Sequence, residues 1–72
     1  MAISYYDFNN LTKEFQYELV MAEGKLINEI FKNDLKFALY EVSSFSVEIV
    51  FNMTNNKIAS LSVFQNNGIN GK

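Results

Sequence analysis

From residue 35 to residue 64 the chain reads LKFALYEVSSFSVEIVFNMTNNKIASLSVF, and nearly every second residue is large and apolar. A period of two is that of β-strands that bury one face. The stretch predicts three consecutive antiparallel strands. Ahead of it, Leu11, Phe15, Leu19 and Ala22 fall at helical spacing, with Lys13, Glu14, Gln16, Glu18 and Glu23 on the other side. That spacing predicts a helix over 12–23, with Asn10 or Thr12 as N-cap, Glu14 in the first turn and Gly24 as the residue just past its end. Val20 and Met21 widen its apolar stripe, as expected of a helix lying on a sheet.

Residues 25–32 show no single face, since Leu26 and Ile30 point one way and Ile27 and Phe31 the other. An outer strand is the reading adopted, because Asn33-Asp34 suits a tight hairpin turn with left-handed backbone angles. A continuation of the helix beyond Gly24 is the alternative. Residues 1–8 carry Ile3, Tyr5, Tyr6 and Phe8, too apolar for a free tail, and are expected to form an irregular arm packed on the core. Residues 66–72, NNGINGK, have the composition of a flexible tail. The expected fold is therefore α+β: one helix packed on a four-stranded antiparallel meander, in a single domain over 1–65.

Odd-length loops at 42–44 and 54–56 would align three apolar rows under the helix: Leu39 with Val47 and Val63, Phe37 with Ile49 and Leu61, and Leu35 with Phe51 and Ala59. Asn56 in a left-handed conformation would close the second loop. The opposite face would then carry Glu48, Ser60, Ser62 and Lys36 among Ala38, Tyr40, Val50, Ile27, Phe31 and Phe64. One helix covers one side of such a sheet, so Tyr40, Glu48, Val50 and Phe64 are the candidate contact surface. The competing explanation is that strands favour such residues by propensity and that they stand as scattered singles.

Composition narrows the function. A 72-residue domain buries only about 60% of its unfolded surface, so disulfides, a metal or oligomerisation commonly reinforce folds of this size. There is no Cys and no His, which removes disulfides, thiolate sites and the commonest zinc ligand. Oligomerisation remains. The net charge is −2 and all six basic residues are Lys, a balance that argues against nucleic acid and anionic membrane. An aromatic sheet face can stack bases, but this one lacks interleaved basic residues. The N-terminus has no signal-peptide pattern and no run reaches bilayer length, so a soluble cytoplasmic protein is expected.

Catalytic chemistry finds little to work with. Glu14 and Glu18, four apart on a helix, read as a solvated face; Glu41 and Glu48 lie near the ends of a hairpin with no closed pocket suggested. Ser43-Ser44 has no general base nearby, and Gly24, Gly68 and Gly71 form no phosphate loop. No cofactor is implied.

The runs LTKEFQYELVMAEGKLI and LYEVSSFSVEIVFNMTNNKI resemble a group of small uncharacterised bacterial proteins with one helix followed by a four-stranded sheet. Leu11, Gln16, Leu19, Gly24, Leu39, Tyr40, Phe45, Val47, Glu48, Asn56 and Ile58 stand at matching places over residues 11–64, with departures at Ser46 and Val50. The resemblance implies the same helix-plus-sheet fold and brings no activity or ligand. The functional expectation is a non-enzymatic module that forms a homodimer or binds another protein through the open face or an edge strand. The alternative is an accessory or regulatory protein holding a small ligand between helix and sheet.

Overall fold

A computed structural model describes residues 3–65. Two short helices precede four strands: α1 (Tyr5–Asn9), α2 (Lys13–Glu23), β1 (Lys25–Lys32), β2 (Leu35–Val42), β3 (Phe45–Asn52) and β4 (Lys57–Gln65). The strands form one antiparallel meander in the order β1-β2-β3-β4. The α+β class and the meander are as expected. The tail expected over 66–72 lies outside the described residues.

Of the irregular arm expected over 1–8, the described residues form an ordered helical turn, α1, instead. Ser4 caps a helical turn, its Oγ accepting from the Asp7 N–H at 3.0 Å. Five residues are far too few to sustain a helix by themselves. Burial of Phe8 anchors the turn: its ring is fully covered and lies 5.0 Å from that of Phe45. Tyr5 meets Phe45 edge-on at 6.2 Å.

In α2, Thr12 is the N-cap, its Oγ1 accepting from the Phe15 N–H at 3.2 Å. The buried face differs from the expected one. Gln16 and Val20 are buried, Tyr17 and Leu19 half-buried, while Phe15 is 59% exposed and Ala22 is exposed. Phe8 fills space beside α2, and the helix turns its Gln16–Val20 edge inward. Gln16 Nε2 then donates to the Phe8 carbonyl at 2.9 Å and joins the two helices. Gly24 ends α2 in extended backbone, not left-handed (φ −76, ψ 152). Its requirement is space: a Cβ there would stand 2.6 Å from the Val20 carbonyl oxygen. The chain passes straight from this residue into β1, and the outer strand supersedes the helical continuation.

The largest correction concerns β2. The β2–β3 hairpin turns on two residues, with Val42 paired to Phe45 and Ser43 in left-handed backbone (φ 55). An odd loop would have put Leu35, Phe37 and Leu39 beneath the helices. The even loop slips β2 by one residue, so Val42, Tyr40, Ala38 and Lys36 face the helices beside Phe45, Val47, Ile49 and Phe51. Val47–Val63 and Ile49–Leu61 pair as expected, but Phe51 faces Ile58 and Ala59 is the extra residue of a bulge. Both outer turns also open or close on left-handed asparagines, Asn33 (φ 56) and Asn56 (φ 60). The core comprises Phe8, Val20, Val42, Phe45, Val47, Ile49 and Leu61.

Candidate interaction surface

The register places four rows on the sheet face away from the helices. They are Lys25–Glu41–Ser46–Phe64, Asn28–Leu39–Glu48–Ser62, Ile30–Phe37–Val50–Ser60 and Lys32–Leu35–Asn52–Lys57. Leu35, Phe37 and Leu39 are half-buried there, Ile30 is 52% exposed and Phe64 46%. An apolar centre from Ile30 through Phe37 to Val50 is thus flanked by Lys25, Glu41, Glu48 and Lys32.

Of the four candidate surface residues, Glu48, Val50 and Phe64 share this face, with Val50 shielded by its neighbours. Tyr40 does not. It pairs with Val47 on the helix side and packs against the core, as the one-residue slip of β2 dictates. Ala38 and Lys36 move with it: Ala38 is fully buried, and the Lys36 ammonium lies 4.8 Å from the centre of the Phe51 ring. Ile27 falls in a bulge, and Phe31 points to the helix side. In place of these, Leu35, Phe37, Leu39 and Ile30 build the surface. For the three β2 residues the sign in the sequence is the LxFxL alternation, which the odd-loop register places on the wrong side.

The two sheet edges are unlike. Along β4, the Lys13 ammonium donates to the Leu61 carbonyl at 3.2 Å, so α2 caps part of that edge. β1 extends past the helices, and all eight of its residues are exposed, Leu26, Ile27, Ile30 and Phe31 by 48, 52, 52 and 64%. A strand that leaves large apolar side chains open on both faces lies outside any hydrophobic layer of its own domain.

Elsewhere, a hollow of about 700 Å³ lies between α2 and β4, lined by Lys13, Glu14, Tyr17, Glu18, Ile58 and Leu61 among others. Glu14 and Glu18 stand on its helical rim. Glu41 and Glu48 occupy adjacent rows of the open face. Among the described residues no group of three or more acidic side chains is placed to hold a metal ion, and no helix is long and apolar enough to cross a membrane.

No protein-family model, no curated protein and no solved structure matches this chain. The helix-plus-sheet architecture expected from the sequence is present, and the class of the molecule is set by its fold: a small α+β domain with one covered and one open sheet face.

Proposed function

We propose that this chain is a non-enzymatic self-association module, one of the small cytoplasmic bacterial proteins it resembles, and that the surface it uses is β1 with the adjoining open face. The observation that carries this reading is the eight-residue exposure of β1. A second copy is the occupant the chemistry favours, because an antiparallel edge is complementary to itself about a two-fold axis. Self-association also supplies the reinforcement that a small domain without Cys or His otherwise lacks. Light scattering behind a sizing column, over a wide dilution range, tests it. A mass near twice the chain mass of 8.3 kDa that falls only at high dilution is the expected result; a monomer at every concentration overturns it.

The hollow between α2 and β4 favours the second reading, a small apolar ligand held between helix and sheet. Its Lys13–Leu61 bond already occupies one of the polar groups such a ligand would use. Filling the hollow with Ala59→Trp leaves the solution mass unchanged if β1 is the working surface.

A further inference from the structure

We infer that two copies pair antiparallel through residues 28–32 of β1, about a two-fold axis at Ile30. This rests on the self-association reading and adds its register. The bulge at Ile27 and the left-handed Asn33 bound the regular part of the strand to those five residues, whose midpoint is Ile30. An axis perpendicular to the sheet keeps the open faces of both copies on one side, so it must pass through a residue's pairing with itself. Only the axis at Ile30 engages all five residues of each strand. Centred on Glu29, the pairing sets like carboxylates directly opposite each other, which destabilises a ladder. Centred on Asn28 it runs into the bulge, and centred on Phe31 it runs into the turn.

The backbone agrees with this register. Lys32 and Leu35 close a two-residue hairpin, so Lys32, Ile30 and Asn28 bond to β2, while Glu29 and Phe31 turn their N–H and C=O groups outward. About Ile30, each Glu29 faces Phe31 of the second copy, and both residues exchange their outward groups. On the open face Ile30 meets its own copy, extending the row Val50–Phe37–Ile30 without a break into the second sheet, and Lys32 meets Asn28. On the helix side Phe31 lies beside Glu29, whose carboxylate is already answered by Lys36 at 3.5 Å. No like charges oppose one another. The other edge offers no equivalent, since Lys13 holds the Leu61 carbonyl and Ala59 bulges.

The lack of any native Cys makes single-cysteine crosslinking a direct test. Ile30 would face its own copy as a non-hydrogen-bonded pair at a Cα separation of ~4.5 Å, inside the disulfide window, whereas Asn28 would lie four residues, or ~13 Å, from its copy. Under mild oxidation Ile30→Cys is expected to yield covalent dimer at least about tenfold faster than Asn28→Cys, a contrast that follows from that window. Neither Asn28→Cys nor Lys32→Cys crosslinks with itself, but an equimolar mixture of the two does, which secures the result should Ile30→Cys fail to fold. A dimer by light scattering in which Ile30→Cys is no faster than Asn28→Cys and the mixture does not crosslink overturns this register while leaving self-association standing. A monomeric wild type overturns both.

Discussion

Ser43, Gly24 and Gln16 show how single residues commit this chain. A left-handed serine costs about 1–2 kcal/mol relative to ordinary backbone, and Ser43 bears that cost to hold the two-residue turn. Ser43→Gly is therefore expected to be neutral to stabilising by up to about 1 kcal/mol, read as a higher urea midpoint. Gly24 gives the opposite result. Its φ of −76 suits any residue, yet Gly24→Ala drives a Cβ against the Val20 carbonyl. Overpacking of about 1–3 kcal/mol outweighs the ~0.4–1 kcal/mol that Ala gains through the unfolded state, so the midpoint falls. Gln16 is buried with its Oε1 unpartnered among the described residues, while its Nε2 satisfies the end of α1. Helical spacing groups it with Lys13, Glu14, Glu18 and Glu23 on the polar side, so the sequence does not show this role. The capping pattern Ser4-x-x-Asp7 was the available sign of α1.

Among the elements, β2 decides the most. Its sequence LKFALYEV is apolar on both faces, so alternation alone assigns it to either side. The paired structure predicts a sharp contrast between neighbours. Ala38→Asp places an unpaired carboxylate in the core and is expected to cost about 3 kcal/mol or more, unfolding much of the population. Leu39→Lys, one residue on but on the open face, is expected to shift monomer stability by about 1 kcal/mol or less. Thermal melts by circular dichroism at low concentration check both, and reversed magnitudes would restore the odd-loop register. The helix α1 depends on one contact. Phe8→Ala removes about 3–5 kcal/mol, a large share of the roughly 4–11 kcal/mol that ~0.05–0.15 kcal/mol per residue gives a chain of 72 residues.

For the whole molecule, the helices form a lid narrower than the sheet. They lie over β2 to β4, and β1, reached directly from Gly24, extends past them. Self-association is the outcome this asymmetry favours, and Ile30→Lys tests it without touching the core, since Ile30 is half-exposed. A charge set against its own copy at the axis is expected to lower the dimer fraction at least about tenfold, with the monomer melt moving by about 0.5 kcal/mol or less. A matching substitution at the hollow between α2 and β4, Glu18→Lys, leaves the dimer fraction unchanged.

What the sequence determined was what local geometry controls. The period-two runs, the helical spacing with Thr12 at its start, and the asparagines at positions 33 and 56 each encode their element within a few residues. They were enough for the α+β class, the meander and the existence of an open face. Tertiary structure alone decided which side of β2 lies in the core, which edge of α2 turns inward, and which strand the lid leaves bare. Those outcomes depend on where Phe8 packs and on the backbone angle of one serine. Because β2 satisfies either face by pattern, only contacts between residues far apart in the chain distinguish the two arrangements.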